Sequence, residues 1–348
     1  MKLPKSLAIS AVGSFPHKDG KALSEQLYRI LDIPVWPQLP KRDFRESMYV
    51  QYGAVMPCVV EDEERSKIFF DVTGDRLGEL DEFYLRYEAD DVDYFGLQPK
   101  YAQGFFDFLE ILPDYKGAWV KGQVTGPVSF GLTVTDQDLR ASLYNEILAD
   151  MILKNMVMNA RWQVRQLNQH GHEVLIFIDE PYMSAFGSSF ISLEQEQVVT
   201  LLNEVIRAIH AEGGWAGVHC CGNTDWVLLL ETEIDMINFD AFNYFENFAL
   251  FAPQVKDFIA REGVIAWGLV PNDGHVLGLG ADELVRRFDQ GAGLLSEKTG
   301  GELSVDQIRA HSILTPACGL GSATMEITEQ ALKLLQATGK ALAGNQTN

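Results

Sequence analysis

The chain has 348 residues, 47% of them hydrophobic, which is enough for one large α/β barrel or two ordinary domains. Its 28 Lys+Arg stand against 49 Asp+Glu, and the net charge of −21 argues against nucleic acid and anionic membrane as partners. Four cysteines are too few for a disulfide scaffold, which favours a reduced, cytoplasmic setting, and no apolar run reaches the ~20 residues that span a bilayer.

The N-terminal MKLPKSLAISAVGSFPH has lysines and a short apolar run, but Pro16 and His17 follow at once, so it reads as a first buried strand rather than a signal peptide. AISAVGSF (8–15), DIPVWPQL (32–39) and GAWVKGQV (117–124) give three strands, and a long helix is expected at roughly 137–169. From residue 173 onward short apolar runs alternate with amphipathic stretches. EVLIFIDEP (173–181), WAGVH, DMINFDAF, VIAWGLVP and SILTPACG are strands. LEQEQVVTLLNEVIRAIHAEG (193–213), TDWVLLLETE, ALFAPQVKDFIAREG, ADELVRRFDQGAGLLSEKTG and MEITEQALKLLQATGKAL are the helices that follow them. Eight β/α units over residues 1–348 predict a single (β/α)8 TIM barrel. Residues 40–116 form a partly helical insertion between strands 2 and 3, with aromatics at 84–108 suited to a packed cap or a docking face. A doubly wound open sheet is the competing fold, but no GxGxxG follows the first strand.

In such a barrel the functional side chains sit at the C-terminal ends of the strands. Those ends carry Gly13 and Ser14, the turn GQVTGPVSFG (122–131), Asp179 and Glu180, His219 to Cys221, Asp240, Trp267 and Gly268, and Cys318. In VHCCGNTD, strand alternation turns His219 and Cys221 to one side and Cys220 to the other. With Cys318 they make a soft N/S/S ligand set suited to Zn²⁺, and Asp240 at the neighbouring strand end is placed to complete it. The plain alternative is a pair of ordinary buried cysteines. Cys220 and Cys221 lack the spacing of a CxxC redox pair. Zinc carrying thiolates is a poor generator of hydroxide but holds a substrate thiol ionised, which suits thiol alkylation. Asp179 and Glu180 suit a substrate ammonium, or else a helix cap or structural ion pair. The glycines of GQVTGPVSFG suit either a tight turn or the close approach of backbone to a ligand.

VGSFPH, KGQVTGPVSF, FIDEP, VHCCGN and TPACGLGS, in this order and over nearly the whole chain, resemble the catalytic barrel of cobalamin-independent methionine synthase, without that family's N-terminal barrel. The resemblance implies zinc ligation by His219, Cys221 and Cys318, with Asp240 standing where the family has Glu. It implies that the Gly13–Ser14 segment holds the carboxylate of a homocysteine-like amino acid, that Asp179 holds its ammonium with Glu180 beside it, and that methyl-folate or a methylated corrinoid protein is the donor. Gly321, Ser322 and Ala323 replace the family's basic tail, and Ala317 stands where an acid is common. Two other readings stay open: a metal-free decarboxylase of the uroporphyrinogen type using Gln38, Lys41 and Arg42, and a barrel that binds metal or thiol without turnover.

Overall fold

The computed structural model describes residues 3–74, 77–187 and 191–344. In chain order its strands are β1 (Ala8–Ile9), β2 (Val59–Asp62), β3 (Lys67–Phe70), β4 (Trp119–Thr125), β5 (Glu173–Asp179), β6 (Trp215–Cys220), β7 (Met236–Phe239), β8 (Val264–Val270) and β9 (Ser312–Pro316). β2 and β3 form an antiparallel hairpin. The other seven make one sheet in the order β1-β9-β8-β7-β6-β5-β4, parallel throughout. The helices are α1 (Gly20–Ile30), α2 (Leu77–Glu88), α3 (Gln103–Ile111), α4 (Pro127–Thr133), α5 (Glu146–Leu167), α6 (Gln195–Ala211), α7 (Trp226–Leu230), α8 (Ala241–Phe248), α9 (Ala252–Ala260), α10 (Ala281–Lys298), α11 (Val305–Ala310) and α12 (Met325–Gly344). Among the described residues no helix is long and apolar enough to cross a membrane.

The expected second strand, 32–39, lies between the two edges of this sheet but is not a continuous strand. It touches its neighbours through single bridges, Ser14 to Gln38 and Val35 to Lys121. Pro34 and Pro37 have no N–H to give to a ladder. Of the donors that remain, Ile33 N reaches Ile9 O and Gln38 N reaches Gly13 O on one side and Trp36 N reaches Lys121 O on the other, while Lys121 N reaches Pro34 O. This stave joins β1 to β4, and the sheet curls into a TIM-barrel-like fold.

Alternation along the staves sorts the barrel interior by depth. Ala8, Ile33, Trp119, Leu175, Phe177, Trp215, Met236, Val264, Ala266 and Ile313 form a dry inner core. Two residues further along the same strands the inward side chains turn polar: Phe177 gives way to Asp179, Met236 to Asn238 and Ile313 to Thr315. The outward positions of the strands pack on the helices in a separate, larger core. Chemistry is thereby confined to the C-terminal end of the barrel.

Two helical readings needed correction. The long helix begins at Glu146, not near 137, because Asn145 caps it by accepting from Ile147 N and Leu148 N. Upstream, the Asp136 carboxylate accepts from Asp138 N and Arg140 N and stabilises a turn instead. At the second, the expected strand DMINFDAF ends early: its last two residues, Ala241 and Phe242, belong to α8, started by Asp240.

Candidate active site

The cavity at the C-terminal end measures about 290 Å³, close to the lower bound of ~300 Å³ for small-molecule sites. Ser14, Gln38, Gln123, Asp179, His219, Cys221 and Cys318 line it, together with Pro40, Ser47, Met48 and Pro181. Ser47 and Met48 come from the 40–116 segment, which is tied to the barrel here. Tyr52 Oη donates to Gln123 O at 2.7 Å, and Thr125 Oγ1 donates to Met48 O.

His219, Cys221 and Cys318 each bring one ligand atom to within 4.8 Å of the others. Ligands on one tetrahedral zinc stand roughly 3.5–3.8 Å apart, given bonds of ~2.0 and ~2.3 Å, so this group fits such an ion after small adjustments. Strand geometry explains the set. His219 makes the last pairing of β6 with β5, opposite Asp179, and faces inward; Cys221 follows two residues later, just past the strand's end at Cys220. Cys220 points outward, is fully buried in the outer core, and its thiol donates to Gly222 O.

The imidazole is oriented from behind. Asn238 Nδ2 donates to Ala266 O at 2.8 Å and to Thr315 Oγ1 at 2.9 Å. That fixes the amide's direction and leaves Oδ1 to accept from His219 Nδ1 at 2.6 Å. Nδ1 therefore carries a proton, and Nε2 is the buried ring nitrogen not engaged by Asn238, the atom that would bind a metal once any proton shared with Cys221 is displaced. Asn238 was not singled out in the sequence; its only signal there is a polar residue inside the apolar run INF.

Without a cation the three side chains share protons. Cys221 is held far below the usual thiol range, to about 4, by a hydrogen bond from Cys318 and then by His219. Cys318 is pushed up, first by that same bond to Cys221 and then by burial. Burial opposes a charge on His219, but Cys221 and Asp179 outweigh it and raise its pKa. A cation entering this group would replace shared protons.

Asp179 lines the cavity and leaves Oδ1 without a donor. Burial raises its pKa, while His219 and Lys121 pull it down. Lys121 lies deeper, fully buried, with Nζ donating to Val12 O at 2.5 Å and resting 4.0 Å from the centre of the Phe177 ring. Burial lowers its pKa to about 7 against the pull of Asp179. Ser14 is bound to the loop after Cys318: its carbonyl accepts from Leu320 N and its Oγ from Gly321 N. The hydroxyl proton stays available to a ligand. Gly13 does not line the cavity; it stands behind it, against the side chain of Gln123.

Two candidates have other work. Glu180 is fully buried and does not line the cavity; its carboxylate accepts from Val128 N at 3.1 Å and Ser129 N at 2.7 Å, the free amides that open α4. Burial raises its pKa to about 7 despite those bonds. Gly126 in GQVTGPVSFG is needed for this contact, since a Cβ there would lie 2.0 Å from Glu180 Oε1. This part of the motif therefore serves a helix start. Glu180→Gln should lower unfolding stability by about 2 kcal/mol, because an amide cannot accept at both positions. Metal content should stay unchanged, as thermal melts and elemental analysis would show. Asp240 also caps a helix: its two oxygens accept from Asn243 N and Nδ2, and it is not part of the group that converges on one point. Burial first, and then the Cys221 charge nearby, raise its pKa. Of the residues needed by the decarboxylase reading, Gln38 lines the cavity, whereas Lys41 is exposed and Arg42 pairs with the buried Glu46.

No family model and no curated protein matches the sequence. Among solved structures the chain is similar to a B12-independent methionine synthase from Shewanella sp. W3-18-1 in complex with selenomethionine. The match covers 98% of this chain and 99% of that one, with a TM-score of 0.60 and 14% identity, and it shows a common fold.

Proposed function

We propose that the chain is a zinc-dependent S-methyltransferase of the methionine synthase type, which methylates a small, homocysteine-like thiol from methyl-folate or a methylated corrinoid protein. The observation that carries this reading is the convergence of His219, Cys221 and Cys318 on one point in the wall of a cavity that also presents Asp179 and Ser14. The shared fold supports it, as does the ligand of the similar structure: selenomethionine is the selenium counterpart of a methylated thiol amino acid.

Zinc held by His219, Cys221 and Cys318 would supply the positive charge that keeps a substrate thiol ionised near neutral pH. The residues of the chain position everything else. Asp179 offers an anion to the ammonium, and Ser14 Oγ a proton to the carboxylate. Met48, Pro40 and Pro181 offer apolar surface to the substrate chain. The sulfur–carbon bond then forms as the donor–methyl bond breaks, and the donor leaves with the electron pair. No aromatic side chain lines the cavity among the described residues, so a flat pterin would have no ring to stack on here, and both donors must be tried.

The test is elemental analysis of reduced, untagged protein followed by methyl transfer to L-homocysteine with each donor. About one zinc per chain and S-methylation with either donor are expected. Zinc-loaded protein that methylates no thiol with either donor would overturn the reading.

A further inference from the structure

One wall of the cavity has a recognition group that the metal site does not use. Gln123, on β4, is 2% exposed and lines the cavity. Its Nε2 donates to Trp36 O at 3.3 Å; reversing the amide would set two carbonyl oxygens against each other. Oε1 is thus left over, and it is a buried acceptor without a donor. On the next strand Asp179 Oδ1 is in the same state. Native proteins rarely leave buried polar atoms unpaired, and two acceptors in one cavity wall call for a ligand rich in donors.

The surroundings are built to keep the Gln123 amide where it is. Gly13 has φ +154°, a conformation open essentially to glycine, and a Cβ there would come within 2.7 Å of the Gln123 side-chain carbon and 2.9 Å of Oε1. The Gln123 carbonyl is held by both Tyr52 Oη and Gln163 Nε2. Neither lysine nor arginine lines the cavity among the described residues, and neither Gln123 Oε1 nor Asp179 Oδ1 receives a hydrogen bond from the chain. An ammonium does: it has three N–H groups and a charge to match Asp179.

We propose that Gln123 Oε1 is a specificity element that accepts a hydrogen bond from the substrate's α-ammonium alongside Asp179, and so selects α-amino thiols over thiols without the amino group. This rests on the thiol-substrate reading above. It also gives Gly13 a purpose other than direct contact, namely space for the selecting amide.

The experiment compares L-homocysteine with 4-mercaptobutyrate, which has the same chain and no amino group. Binding to zinc-loaded protein is followed by calorimetry for the wild type, Gln123→Met and Gln123→Glu. Methionine keeps the length and loses the acceptor; glutamate keeps an acceptor. We expect Gln123→Met to weaken homocysteine binding about 20-fold, leave 4-mercaptobutyrate within about two-fold, and retain its zinc, with Gln123→Glu keeping the preference. If Gln123→Met discriminates as well as the wild type, the assignment is wrong while the thiol reading stands. If wild-type protein with full zinc binds neither thiol, the thiol reading falls and takes this assignment with it.

Discussion

Cys318→Ser should purify with less than about a tenth of the wild-type zinc, lose methyl transfer, and keep a wild-type far-UV circular dichroism spectrum. The argument is one of ligand number. Among the described residues His219, Cys221 and Cys318 are the donors that converge, and the extra acid suggested by the sequence, Asp240, spends both oxygens on Asn243. Removing a thiolate leaves two donors and a neutral hydroxyl, which is a far weaker set for zinc. The fold should survive because Cys318 lies just beyond β9 and does not pair in the sheet. Cys221→Ser should behave in the same way, since it removes the other thiolate of the set. Elemental analysis after dialysis against a weak chelator reads the result; full zinc occupancy in either variant would remove that cysteine from the ligand set.

The barrel was legible because its grammar is repetitive. From residue 173 onward each apolar run and the amphipathic stretch behind it specify a strand and its covering helix, and the strand ends then name the inward residues by counting in twos. His219, Cys221, Cys318 and Asp179 are expected at strand ends by this count, and all four line the cavity. What escaped depends on chain geometry that period does not carry. The 32–39 segment has the composition of a strand, but Pro34 and Pro37 reduce it to isolated bridges. Asp240 and Glu180 are acids at strand ends, just like Asp179, yet each faces the first free amides of a helix: α8, which directly follows Asp240, and α4, which belongs to the neighbouring β/α unit. Telling a cap from a ligand requires knowing which helix starts beside the carboxylate. Asn238 and Gln123 escaped for a different reason. Asn238 is a lone amide in the apolar run INF, and Gln123 lies in a motif whose glycines draw the attention; in both, only the hydrogen bonds of the neighbours reveal which end of the amide is free.

Asn238→Leu should weaken zinc binding about 10- to 100-fold, measured by competition with a chromogenic chelator, although Asn238 touches no metal. The imidazole of His219 can carry its single proton on either nitrogen. With Asn238 Oδ1 at 2.6 Å the proton is held on Nδ1 and Nε2 stays free. Leucine fills the same space but accepts nothing, so the ring is free to protonate Nε2, and it also loses the anchor that sets its plane. The substitution strips partners from Ala266 O and Thr315 Oγ1 as well, so the variant should melt at lower temperature, and that loss alone would not identify a positioning role. Asn238→Asp separates the two effects. It keeps an acceptor for Nδ1 but cannot donate to Ala266 or Thr315, so it should lose stability and retain tight zinc binding. If both variants bind zinc as tightly as the wild type, Asn238 is a core residue only, and the orientation of His219 must come from its strand alone.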